Sequence, residues 1–174
     1  MGRRAIFLDE DDYRFYLTKL AHAQKQYDIR ILAYCLMPNH VHLLVQQLGE
    51  GRVGKLISSV HTSYAKRFNG KYRRVGHIFQ GRFRQVIIQR DVYLRYLVAY
   101  IHLNPVAAKL VAHPKEYPWS SWHAYVQRKK DAVCQPAPIL KIFGGERNYI
   151  AFEKEVREWK AQERWEKIRN VIIE

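Results

Sequence analysis

Two strand-forming runs separated by three residues constrain this chain more than any other feature. Ile29 to Leu36 is rich in β-branched and aromatic residues. His40 to Gln46 follows after only Met37-Pro38-Asn39. A connection this short joins antiparallel neighbours, so the two runs are read as a hairpin. Helical patterns flank it. Tyr13, Tyr16, Leu17, Leu20, Ala21, Gln24 and Tyr27 recur at helical spacing, and Asp9 to Asp12 place negative charge at that helix start. Val53, Leu56, Ile57, Val60, Tyr64 and Phe68 form one apolar stripe, with Asn69-Gly70 as its stop. Phe83 to Gln89 reads as a further strand. Asp91 is placed as the cap of a third helix ending at Asn104, before Pro105. Four later prolines break the chain into short pieces, and a last helix is expected from about Arg147 to Asn170.

The order helix, strand, strand, helix, strand, helix suits an α+β sandwich. It predicts a ferredoxin-like antiparallel sheet with helices on one face, lacking the usual first strand, plus a mostly helical C-terminal extension. The sequence contains no apolar run of the roughly 18 residues a membrane span requires. The only cysteines are Cys35 and Cys134, so neither a disulfide framework nor a cysteine zinc cluster is expected, and a reducing cytoplasm is the expected location. The formal net charge is +14. From Ala151 onward six basic residues face six Glu, so the excess lies before that point. A small basic protein attracts polyanions, of which nucleic acid is the commonest; a general solubility charge is the alternative.

Three features carry chemistry. His40 and His42 are two apart on a strand and so present two imidazoles on one face, a metal-binding arrangement that also occurs by chance. Tyr100 and Asn104 are four apart on a helix and share a face; the Asn amide oxygen is a suitable hard ligand for Mg²⁺ or Mn²⁺. Tyr93, Tyr96 and Tyr100 also form a packing stripe. The third feature is a basic stretch holding Lys66, Arg67, Lys71, Arg73, Arg74, Arg82, Arg84, Arg90 and Arg95, interleaved with Phe68, Tyr72, Phe79 and Phe83. Basic groups for a backbone and aromatic rings for bases are what single-stranded nucleic acid requires. A solvated basic loop is the plainer reading.

Taken together the motifs resemble the HUH single-tyrosine transposases, in the branch of REP-associated tyrosine transposases. The matching stretches are Tyr34 to Leu44 (YCLMPNHVHLL), Gly76 to Phe83 (GHIFQGRF), Tyr100 to Val106 (YIHLNPV) and Tyr117 to Ser121 (YPWSS). Their order and spacing agree as well. The resemblance implies a transposase domain over residues 1–125 and an extension over 126–174. It implies His40 and His42 as metal ligands, Tyr100 as the catalytic tyrosine, and Asn104 where related transposases place a metal-binding Gln. His102 is assigned to surface or packing. The implied reaction is attack by Tyr100 on a phosphate activated by Mg²⁺ or Mn²⁺, leaving a covalent 5′-phosphotyrosine and a 3′-hydroxyl.

The implied partners are single-stranded and hairpin DNA, with the protein as a monomer or homodimer. The basic residues Lys66, Arg67, Lys71, Arg73, Arg74, Arg82, Arg84 and Arg90 would hold the DNA. Members of the branch carry a strand upstream of the stretch matching Gly2 to Asp9. The expectation is therefore that the strand bearing His40 and His42 keeps an edge without a partner, and that an upstream extension raises thermal stability. Two further readings are a hairpin-binding protein that does not cut, and a phosphodiesterase that uses water in place of Tyr100.

Overall fold

The computed structural model describes residues 4–81, 83–88, 90–127 and 130–158. Helix α1 spans Glu10–Gln26. Asp9 caps it, accepting the Asp12 N–H at 3.1 Å, and three acids fill its first turn. Both features satisfy the positive end of a helix. Of the predicted stripe Tyr13, Tyr16, Leu20 and Gln24 are buried, and Ala23, which the pattern did not include, is buried with them.

Strands β1 (Ile29–Met37) and β2 (His40–Gln47) form the predicted hairpin, with Met37 opposite His40 and Cys35 opposite His42. A register shift between Ile31 and Ala33 inserts one extra residue into β1. Every residue of β1 except Arg30 is buried, so both of its faces are covered. The Pro38 carbonyl in the turn accepts the Ile6 and Phe7 amides at 2.7 and 3.2 Å, which ties the N-terminal segment to the turn before His40.

The outer edge of β1 is met by later chain. Leu36 N–H donates to Trp119 O at 2.9 Å, Ser121 N–H to Tyr34 O at 3.0 Å, and Gln135 N–H to Ile31 O at 2.8 Å. Tyr117 and Tyr125 add hydroxyl bonds to the Leu36 and Leu32 carbonyls, both at 2.7 Å. Val133 and Cys134 lie in the same core, so part of the stretch set apart in sequence as an extension packs with β1. Among the described residues the sheet has two strands. The expected strand from Phe83 to Gln89 does not form over the described residues 83–88, which take no regular secondary structure. Its exposed side chains explain why: Val86 and Ile87 are 45% and 80% exposed, so strand-like composition met no sheet edge that would bury it.

Helix α2 spans Val53–Lys71 and buries the predicted stripe from Leu56 to Phe68. It enters by a tight corner at Gly51, where an added Cβ would stand 2.4 Å from Asp28 O and 2.8 Å from Tyr27 O. Gly51→Ala must therefore displace backbone. We expect it to lower stability by roughly 1–3 kcal/mol in urea unfolding; an unchanged midpoint would show that the corner is plastic. The helix also runs past Asn69-Gly70, where the sequence suggested a stop. Lys71 closes it. Its Nζ lies 2.8 Å from both Asp9 oxygens, 3.0 Å from Asp12 and 3.2 Å from Asp11, which ties the last helical residue to the start of α1.

Helix α3 spans Asp91–Ala107, with Arg90 rather than Asp91 in the capping position. Pro105 sits inside its last turn instead of ending the helix before it. The chain then closes with Ala108 N–H on Asn104 O and Leu110 N–H on Pro105 O, both at 2.9 Å. A 3₁₀ turn at Pro114–Glu116 leads to α4 (Trp122–Val126), α5 (Ala137–Phe143) and α6 (Glu146–Glu158). The remainder of the predicted last helix lies outside the described residues. Among those described, no helix is long and apolar enough to cross a membrane.

Candidate active site

The alternation of β2 places His40 and His42 on one face, as the spacing required. Their Nε2 atoms stand 2.9 Å apart. His40 Nδ1 lies 2.6 Å from Asn39 Oδ1. A proton on Nδ1 satisfies that contact and leaves the Nε2 lone pair pointing toward His42, the way an outer hydrogen bond orients a metal ligand. Two imidazole nitrogens held at about 2.1 Å from one ion and at right angles would stand about 3.0 Å apart. The observed separation fits that geometry. Burial, and second the neighbouring His40, push His42 down to about 4, so it is neutral near pH 7 as a ligand must be.

Helix α3 packs over this face. The Tyr100 ring lies 5.7 Å from the His42 ring, edge-on at 81°. Asn104, one turn further, donates its amide N–H to the Tyr100 carbonyl at 2.9 Å. Burial raises the Tyr100 phenol above its ordinary value, and a hydrogen bond from Asn104 pulls the other way. The phenol is therefore protonated at neutral pH. Among the described residues no three His, Cys, Asp or Glu side chains gather as a metal site. Asn104, the further ligand expected from the sequence, lies on the same helix as Tyr100 with its amide N–H turned to the Tyr100 carbonyl.

His102, expected at the surface or in packing, is a packed interior residue. It is fully buried, with Nδ1 2.6 Å from the Tyr149 hydroxyl and Nε2 2.8 Å from Ser121 Oγ. Ser121 in turn accepts the Tyr34 N–H at 2.9 Å. One imidazole thus links α3 to α6 and, through Ser121, to β1. The sequence signal was only a lone His between Ile101 and Leu103, and its partners lie 19 and 47 residues away.

The basic stretch divides. Arg67 and Lys71 pair with the acids at the start of α1; Arg67 bonds Asp11 and lies 4.5 Å over the Phe15 ring. Arg74 lies 5.7 Å over Phe68, and Arg95 lies over Phe143 and Phe152 at 5.0 and 5.9 Å. Lys66, Arg73, Arg84 and Arg90 are exposed. Arg82 lies outside the described residues. The interleaved aromatics divide as well. Phe68 is core, Tyr72 bonds Asp9 and Asp12, Phe79 stacks on His61 at 3.7 Å, and Phe83 remains 42% exposed.

Comparison with known proteins identifies the family. Residues 1–104 match the family model "Transposase IS200 like", and the chain belongs to that family. It is 32% identical over 127 residues to a Haemophilus influenzae protein named "Putative REP-associated tyrosine transposase", a match spanning 64% of this chain and 72% of the relative. Among solved structures, its fold is similar to that of a REP-associated tyrosine transposase bound to a REP hairpin. The TM-score is 0.60, with 23% identity over 77% of this chain and 79% of the other.

Proposed function

We propose that this protein cleaves and rejoins single-stranded DNA beside hairpins, with Tyr100 as nucleophile and a divalent cation, Mg²⁺ or Mn²⁺, held by His40, His42 and Asn104. The observation that carries the reading is the convergence of two imidazole Nε2 atoms at 2.9 Å with the Tyr100 ring against His42. The bound cation supplies Lewis-acid polarisation of a non-bridging phosphate oxygen. The Tyr100 oxygen forms the bond to phosphorus while the bond from phosphorus to the 3′-oxygen breaks. The phenol proton passes to solvent, and the departing 3′-oxygen takes one up. The phosphotyrosine keeps the energy of the cleaved bond, so a second 3′-hydroxyl regenerates Tyr100 by the reverse displacement. The exposed Lys66, Arg73, Arg84 and Arg90 are assigned to phosphate contacts. Arg67, Lys71 and Arg74 reach DNA only by sharing or leaving their present contacts.

The test incubates the protein with Mn²⁺ or Mg²⁺ and end-labelled strands carrying hairpins from its own genomic neighbourhood. Label is then sought on protein in a denaturing gel. His42→Ala is expected to abolish the adduct and to weaken Mn²⁺ binding at least about tenfold in calorimetry. Unchanged Mn²⁺ affinity would remove the histidines from the metal site. A second reading is a hairpin-binding protein that does not cut. It is favoured by the sheet among the described residues, in which no strand pairs with the outer edge of β2. Its signature is salt-dependent hairpin binding with no adduct under either metal.

A further inference from the structure

Helix α3 buries Val98, Ala99, Ile101 and Leu103, with His102 among them. Apolar contact is non-directional, so those four residues hold the helix against its neighbours without fixing its rotation about its own axis. Hydrogen bonds are directional, and His102 makes two. It follows Tyr100 by two residues and precedes Asn104 by two, so it leaves the helix on nearly the opposite side from both. Tyr100 meets β2 at His42, whereas His102 meets Ser121 at the outer edge of β1.

Ser121 grips that edge at a single residue. Its Oγ accepts the Tyr34 N–H at 2.9 Å and donates to the Tyr34 carbonyl at 3.3 Å, and its own N–H donates to the same carbonyl at 3.0 Å. With the hydroxyl proton so committed, His102 Nε2–H donates to Ser121 and Nδ1 accepts the Tyr149 hydroxyl. One neutral tautomer therefore satisfies every contact. Tyr125, whose hydroxyl bonds the Leu32 carbonyl, packs edge-on against the imidazole at 4.9 Å. Tyr34 is the neighbour of Cys35, which pairs with His42. The tie from α3 thus ends one residue from the strand position opposite a proposed metal ligand. Turning a helix by about 10° moves a side-chain tip about 6 Å from its axis by about 1 Å. A misplacement of about 1 Å can cost about a hundredfold in rate.

We infer that His102 is a positioning residue for cleavage: its bond to Ser121 sets the rotation of α3 against the hairpin and so holds Tyr100 in place beside His42. The inference rests on the proposed function for the reaction, and it adds a fully buried residue that DNA does not reach. The bond to Tyr149 ties α3 to α6 instead, and serves stability rather than the placement of Tyr100.

Single-turnover adduct formation by the full chain tests it, at saturating hairpin DNA with Mn²⁺ and well below each variant's unfolding midpoint. Ser121→Ala and His102→Leu should slow the adduct step at least about tenfold, while hairpin and Mn²⁺ affinities stay within about twofold of the wild type. His102→Gln, whose amide can still donate to Ser121, should recover most of the rate. Tyr149→Phe removes a buried hydrogen bond to the same imidazole, yet should keep the rate within about threefold. Wild-type rates in both Ser121→Ala and His102→Leu would overturn the role, as would equal slowing in Tyr149→Phe and Ser121→Ala. A readout free of activity is the ¹⁹F signal of 3-fluorotyrosine in place of Tyr100, which reports the surroundings of that ring. The signal should shift or broaden in Ser121→Ala and hold in Tyr149→Phe. A signal unchanged in both overturns the positioning role even where adducts form. No adduct in the wild type, with the signal shifted in Ser121→Ala, sinks the cleavage reading alone.

Discussion

Tyr100→Phe should abolish the covalent protein–DNA adduct while leaving hairpin affinity within about twofold of the wild type. The substitution removes one oxygen and keeps the ring. The contact with His42 at 5.7 Å is a ring contact, so the packing of α3 over β2 survives. With no nucleophile on that ring, cleavage should fall by at least about a thousandfold, below detection on a gel. The other tyrosines of the helix are poor substitutes. Tyr96 lies 5.1 Å from Phe152 of α6, and the pair forms a separate packing cluster with Ala99, Leu103 and Val156. An adduct at the same DNA position in Tyr100→Phe, at more than about a tenth of the wild-type rate, would remove Tyr100 from the chemistry. Loss of hairpin binding together with the adduct would instead show that the hydroxyl is needed for docking.

His102→Ala should cost about 3 kcal/mol of unfolding free energy at pH 7–8. It opens a cavity in a fully buried site and strips partners from the Tyr149 and Ser121 hydroxyls. Tyr149→Phe, which removes only one hydroxyl, should cost about 1–2 kcal/mol. The effect also has a pH signature. Burial, and second the neighbouring His123, push His102 down to about 3. An unfolded histidine takes up its proton near pH 6.5. The folded state resists that proton, so the wild type loses stability as pH falls from about 6.5 toward 3, by at most about 1.4 kcal/mol per unit. His102→Ala has no such group and escapes this loss. The gap between the two proteins should therefore shrink below pH 6.5. A gap constant from pH 8 to pH 4.5 in urea unfolding would show that His102 does not carry the linkage.

The elements that place the chemistry were legible because each depends on local pattern. The hairpin follows from two β-rich runs and a three-residue connection. The shared face of His40 and His42 follows from a period of two. The stripes of α1 and α2 follow from helical spacing, and β1 and β2 formed within one residue of the expected bounds. Local pattern misled where distant chain intervened. Asn69-Gly70 did not stop α2: the helix continues to Lys71, which reaches three aspartates 59 to 62 residues earlier. Phe83 to Ile88 has strand composition but no strand partner among the described residues. Pro105 was absorbed at the end of α3, where Ala108 and Leu110 close the turn around it.

The residues proposed to do chemistry were visible by type and spacing. The residues that hold them were not. His102 and Ser121 lie in two separate motifs and Tyr149 in neither, and only their meeting in a dry interior turns them into one network. The same holds for charge. The excess of basic residues is a property of the sequence, but which of them still offer a free field is decided by folding. Arg67 and Lys71 spend theirs on the acids of α1, while Lys66, Arg73, Arg84 and Arg90 face water. Sequence by itself determined the secondary structure around the hairpin, the pair of imidazoles and the family resemblance, because periodicity and short motifs act over a few residues. Tertiary structure alone decided how Tyr100 meets His42, what covers the outer edge of β1, and which cations remain available, because each depends on contacts between segments far apart in the chain.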